Sequence, residues 1–342
     1  MQASNLEKYK KNFINSLISG IVTGTFMYWL YVFHYLVFIT GFLIGFFIYA
    51  GIFTYKELFE KKYLRKLPIL LILIINTIIH GLIIIFIVIL FVGAIFLKGN
   101  FLLYFEQPGI LKSSGYIVGL IFGFLLSLVF NFYLMVTNLL GTNVLLKLFI
   151  GKYRKPREEY RIFLILDLAS STAIAEKTGH MVFISLLNDV FFEIGEAVSR
   201  TLGEIYKYVG DEVIISWPLK KGLHHSNCMR CMKLIDTQLK KRSKYFFNKY
   251  NLVPELKSGM HAGLVVTGEI GFIKKEIGYA GDTLNTTARI AVECKNHPYQ
   301  LLISEELYKQ LNSESEMIFV DMGFLKFKGK ENEMKIYGWN PC

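Results

Sequence analysis

Four stretches without a charged side chain constrain this chain more than any other feature: Phe13 to Phe33, Tyr35 to Thr54, Pro68 to Leu97 and Gly115 to Leu140. Each reaches the ~20 apolar residues that a helix needs to cross a hydrocarbon core. The third, if fully helical, is ~45 Å long and must tilt or project beyond the bilayer. Only His34 separates the first two, which reads as a tight helical hairpin. A cleaved signal peptide would be shorter and would lack the further spans. The first 150 residues therefore read as an α-helical, four-span membrane domain.

Basic residues set the orientation, because they concentrate on the cytoplasmic side. Lys8, Lys10 and Lys11 precede the first span; Lys56, Lys61, Lys62, Arg65 and Lys66 lie between the second and third; Lys152, Arg154, Lys155 and Arg157 follow the fourth. The third-to-fourth loop has only Lys98 and Lys112, with Glu106 between them. Four spans with both termini cytoplasmic, in a membrane of the bacterial plasma type, satisfy these counts. Residues 1–150 hold 11 basic and 4 acidic side chains, a net +7 of the chain's +11. That excess suits anionic headgroups of a lipid bilayer. No Arg-rich recognition motif accompanies it, so nucleic acid is not an expected partner. Asn76, His80 and Asn131 fall inside spans, where polar residues are functional candidates by default. Interhelical hydrogen bonding is the reading adopted for them, and no ligand is placed there.

The pattern changes after a polar connector at 151–160. RIFLILD (161–167) reads as a buried strand, and residues 173–202 as a helix. Residues 203–217 form a hairpin turning at Gly210-Asp211, and 223–250 a second helix. Strand 257–271, a helix within 281–295, strand 301–304 and a terminal pair at 317–323 and 334–339 complete the domain (161–342). The order is that of an α+β ferredoxin-like βαββαβ unit with extra C-terminal strands. Four Cys in 342 residues do not make a disulfide scaffold. Cys228 and Cys231, after His224 and His225, raise a zinc reading. Helical neighbours on one face explain that spacing, and no second ligand pair follows.

Asp167 ends a buried strand and Asp211 lies in a hairpin turn. If those strands are neighbours, both carboxylates reach one sheet edge, where they repel unless a cation lies between them. Mg²⁺ held by one or two carboxylates plus substrate phosphates is the usual solution. The segment Leu168, Ala169, Ser170, Ser171 and Thr172 offers backbone N–H groups and a helix start to a polyphosphate. Taken singly, each Asp is equally well an N-cap or an ordinary turn residue.

FLILDLASSTAIAEKTGH, EIYKYVGDEVIISW and GDTLNTTARI resemble three consecutive motifs of the class III adenylate and guanylate cyclases, in order and spacing, and the resemblance covers about residues 158–339. It implies a cyclase that works as a homodimer with two Mg²⁺ (or Mn²⁺) per site. Asp167 and Asp211 would be the metal carboxylates, with the Leu168 carbonyl as a further ligand. Lys207 would read adenine, Asn285 orient the ribose, Arg289 stabilise the transition state and Lys328 grip the terminal phosphates. Lys207 points to ATP, since guanylate cyclases usually have Glu there. Gly278 departs from the pattern: it occupies the second base-reading position and has no side chain to accept from adenine. Guanylate or dual-specificity cyclisation therefore stays open. Diguanylate cyclase, suggested by YVGDEV, lacks the NTTAR helix and would need Gly in place of Val209. An inactive binding module would need lost site residues, and a transporter would need internal repeats or charged midplane residues.

Overall fold

The computed structural model describes residues 13–25, 28, 35–55, 67–96, 124–125, 127–133, 135–137, 147–148, 150–311, 318–327 and 332–340. It divides into two compact units, Met1–Leu140 and Gly141–Cys342.

The described part of the first unit is helical, with long helices at Tyr35–Tyr55 and Ile69–Phe96. Among the described residues one stretch, Ile69–Ile87, is long and apolar enough to cross a membrane; Phe13–Thr25, Gly41–Tyr55 and Ser127–Thr137 are shorter apolar helices. Of the four expected spans, one is of full membrane-crossing length among the described residues, and residues 26–27 and 29–33 of the first and more than half of the fourth lie outside them. Ile69–Phe96 has an inverted polarity. Ile74, Ile78, Leu82 and Phe86 are exposed, whereas Asn76, Thr77 and His80 are buried. The Tyr55 hydroxyl donates to Asn76 Oδ1 at 2.9 Å, the expected bond between helices. Asn131 differs, since it donates within its own helix to the Ser127 carbonyl at 2.9 Å.

The second unit is built on a mixed sheet. Its strands are β1 (Arg157–Leu168), β2 (Glu204–Val209), β3 (Glu212–Pro218), β4 (Leu256–Ile270), β5 (Glu276–Ala280), β6 (Leu301–Ser304), β7 (Val320–Leu325) and β8 (Met334–Trp339). They run in the order β2-β3-β1-β4-β6-β8-β7, with β5 paired to β4. The β2-β3-β1-β4 core is antiparallel throughout, and β4 pairs with β6 in parallel. This is the expected ferredoxin-like order with additional strands. The predicted connector is shorter than 151–160, because β1 already begins at Arg157.

Side chains alternate across a strand, and β1 is buried on both faces from Arg161 on. Ile162, Leu164, Leu166 and Leu168 enter the main core with Leu186, Val190 and Ile194 of one helix and Met229, Met232 and Ile235 of another. Those helices differ from expectation in their continuity. The predicted 173–202 helix is two, α1 (Ser171–Thr178) and α2 (His180–Arg200), broken at Gly179 with φ 81°. The predicted 223–250 helix is broken at His225 and Ser226, both at positive φ. A short helix α3 (Leu219–Leu223) precedes that break, and the rest of the expected helix is α4 (Asn227–Lys241) and α5 (Ser243–Tyr250), which meet at Arg242. Cys228 and Cys231 lie buried in the core, where desolvation pushes both thiols up to about 12.

Helix α6 (Asp282–Cys294) covers the other face of the sheet. It lies almost in backbone contact with β4 because Gly259 and Gly263 face it. A Cβ at Gly259 would come 2.3 Å from the Ala291 nitrogen, and one at Gly263 2.5 Å from Thr283 Oγ1. Thr283 Oγ1 also donates to the Leu264 carbonyl at 2.7 Å, fixing the helix start.

Candidate active site

Register brings the two aspartates together. Asp167 pairs with Glu212 across β1 and β3, and Asp211 is the second residue of the two-residue β2–β3 turn, next to Glu212. The turn is tight because Gly210 takes φ 62°, as such hairpins require. Asp167 is 3% exposed. Burial raises its carboxyl above the ordinary carboxylate range; an ion pair with Lys295 opposes this, and the neighbouring Asp211 charge adds to it. Glu212 is raised as well, through desolvation and then Asp167. Asp167 Oδ2 meets Lys295, just beyond α6, while Oδ1 is buried without a hydrogen-bond partner.

An unpartnered buried carboxylate oxygen beside a second carboxylate costs free energy unless a cation completes the site. The donor set is hard oxygen, which fits a divalent ion such as Mg²⁺ or Mn²⁺. Among the described residues no cluster of three or more His, Cys, Asp or Glu side chains forms a complete metal cage. Two carboxylates alone would leave coordination positions open to other oxygens.

The loop after β1 is partly committed to the fold. The Ala169 N–H donates to the Glu255 carbonyl at 2.9 Å, so it is not offered to a ligand. Ser170 is left-handed, with φ 57°, and Ser171 and Thr172 open α1. Their N–H groups precede the helical ladder, the usual place for anion contact.

Asn285 and Arg289 lie one turn apart on α6, Asn285 exposed and Arg289 half-buried. Thr283, Thr286, Thr287, Ile290 and Ala291 form the buried side, so the fold anchors this helix by its other face. Lys207 lies on β2, just past a bulge at Tyr206. Its Nζ is 3.1 Å from Glu276 Oε2 on β5, and that bond is the first cause of its raised pKa. Gly278 is also on β5, opposite Gly268. Lys328 lies outside the described residues.

Lys295 and Glu276 are site neighbours that the sequence reading did not name. Each pairs with a residue far away in the chain, on another element, and neither spacing nor motif reports such a pair.

The family model for the adenylate and guanylate cyclase catalytic domain matches residues 154–340, more than half of the chain. The chain belongs to this family. It is 37% identical over 205 residues to adenylate cyclase 2 of Rhizobium meliloti, covering 60% of this chain and 56% of that protein. It is 27% identical over 169 residues to a receptor-type guanylate cyclase of Caenorhabditis elegans, covering 48% of this chain and 13% of that protein. The chain thus spans little more than half of the first relative and a small part of the second. A solved bacterial light-regulated adenylyl cyclase has the same fold, with a TM-score of 0.55 at 20% identity, covering 67% of each chain. Membership of the cyclase family leaves the purine to be decided, since both kinds of cyclase are among the relatives.

Proposed function

We propose that the chain is a membrane-anchored adenylate cyclase, converting ATP to 3′,5′-cyclic AMP and pyrophosphate as a homodimer. The observation that carries this reading is the buried Asp167 beside Asp211, with Oδ1 lacking a partner at the end of strand β1. Similarity to the Rhizobium meliloti adenylate cyclase supports the choice of reaction.

The reaction is an in-line attack of the ribose 3′-hydroxyl on the α-phosphorus. Asp167, Asp211 and the Leu168 carbonyl would hold divalent cations, which when bound would supply a lowered hydroxyl pKa and charge neutralisation on the triphosphate. Asn285 orients the ribose, and Arg289 on the same α6 face meets charge that develops only in the transition state. Lys207 reads the base, and Ser170, Ser171 and Thr172 line the phosphates with Lys328. Purified protein supplied with ATP or GTP and Mg²⁺ or Mn²⁺ should yield cyclic AMP from ATP as its main product. Cyclic GMP from GTP in excess would replace the reading with guanylate cyclisation, the activity named for other relatives.

Membrane anchoring draws support from the inverted helix Ile69–Phe96. A stripe of exposed Ile, Leu and Phe over buried Asn, Thr and His is costly in water and ordinary in lipid. The proposal is four spans, in a bacterial-type plasma membrane, with residues 151–342 on the cytoplasmic side. Cysteine labelling near Lys8, Arg65 and Arg154 should report the inside, and near Lys98 and Lys112 the outside.

A further inference from the structure

Reading an adenine takes a donor for N1 and an acceptor for the 6-amino group, because that edge presents one of each. Lys207 is a donor only. The second base-reading position suggested by the motif, Gly278, has no side chain, and its space is taken. A Cβ there would come 2.7 Å from Ile270 Cδ1. An acceptor nevertheless stands beside Lys207, on the strand that carries Gly278 and two residues before it. Glu276 Oε2 is 3.1 Å from Lys207 Nζ, and Lys274 holds Oε1 at 2.6 Å. Both members of the Lys207–Glu276 pair remain about one-third exposed, 40% and 32%, so each can still meet a ligand. Next to them is an aromatic ledge. Lys207 Nζ lies 5.3 Å from the Tyr206 ring centroid, and the Tyr206 ring is 4.8 Å from that of Tyr279. Tyr279 in turn meets the buried Phe163 at 5.3 Å. A purine has flat faces that stack on such rings and a polar edge that needs a paired donor and acceptor.

We propose that Glu276 is the specificity-determining acceptor of this site, reading the 6-amino group of adenine beside Lys207 in place of a side chain at position 278. The inference rests on the cyclase reading and deepens it. Glu276 lies on a β5 edge held by Gly278–Gly268 pairing, and each of its carboxylate oxygens is within ion-pair distance of one lysine. Guanine presents an oxygen at position 6, which repels a carboxylate there.

The test compares ATP with purine riboside triphosphate, which lacks only the 6-amino group, in the full-length protein and in Glu276→Ala and Glu276→Gln. Wild type should favour ATP in kcat/KM by tenfold or more. In Glu276→Ala that preference should collapse to within twofold, and the ATP-to-GTP ratio should fall at least tenfold. Glu276→Gln, which retains an acceptor oxygen, should lie between. Thermal melting within a few degrees of wild type establishes that the variants are folded, as expected for a surface pair. Wild-type discrimination preserved in Glu276→Ala overturns the proposal while leaving the cyclase reading intact. Failure of wild type to cyclise either nucleotide overturns the cyclase reading, and the proposal with it.

Discussion

Asp167 places one carboxylate oxygen against a lysine and leaves the other buried and unpaired. The unpaired oxygen is the one that the proposed divalent cation would engage. Asp167→Ala and Asp211→Ala should each reduce cyclisation more than tenfold while the circular dichroism spectrum stays that of wild type. Retained turnover in either variant would remove that carboxylate from the site. Lys295 makes a separate prediction, because it occupies the oxygen that a metal would also attract. Lys295→Ala should tighten Mn²⁺ binding several-fold, read by electron paramagnetic resonance without nucleotide. Weaker binding would mean that Lys295 positions Asp167 rather than competing for it. Of this neighbourhood the sequence disclosed Asp167 and Asp211, since strand end and hairpin turn are local signals. Lys295 and Glu276 were hidden because their partners are 128 and 69 residues away. No periodicity encodes a pair across the chain.

Strands were more legible than helix breaks. β1, β3, β4, β6 and β8 follow runs of β-branched and apolar residues, and the Gly210-Asp211 turn names its own hairpin. β5 was missed: five residues with a central Gly278 give too short a run to register. The helices were drawn too long because apolar periodicity continues through Gly179 and through His225-Ser226, and only backbone φ reveals the break. One consequence of the broken helices is a polar clamp between α2 and α5. Asp189 accepts from Tyr245 and Tyr250 hydroxyls at 2.8 and 2.6 Å and from Lys249 at 2.6 Å. Desolvation alone would raise its pKa, but these donors outweigh it and hold the carboxyl far below the ordinary carboxylate range. The clamp contributes fully above the unfolded Asp pKa, about 3.9, and its contribution is lost as pH falls from there toward the folded value. Asp189→Asn should lower stability at pH 7 by about 2 kcal/mol. Thermal melts between pH 7 and pH 3 should show a shallower acid loss in the variant than in wild type. Parallel pH profiles would show that Asp189 is not the group titrating.

A chain that carries every proposed site residue once can still build its sites between two copies. Asp167 lies at the end of β1 and Asp211 in the adjoining β2–β3 turn, whereas Asn285 and Arg289 stand on the anchored helix α6 and Lys207 on β2. The family resemblance assigns the metal carboxylates and the Lys207, Asn285, Arg289 and Lys328 set to opposite subunits around one nucleotide. A two-fold axis then gives two identical sites from one isologous interface. Confinement to a bilayer would favour that assembly by raising effective concentration. The consequence is a complementation that no monomeric enzyme can pass. Asp211→Ala chains lack one half of each site and Arg289→Ala chains the other, so each variant alone should be inactive. In a mixed dimer one of the two sites receives both lesions and the other receives neither. Random pairing makes half of the dimers mixed, so coexpression at equal levels should restore about a quarter of wild-type activity. Cyclic nucleotide production in membranes, with differently tagged chains to demonstrate coassembly, reads this directly. Coassembled chains that remain as inactive as either parent would place both halves of the site in one subunit.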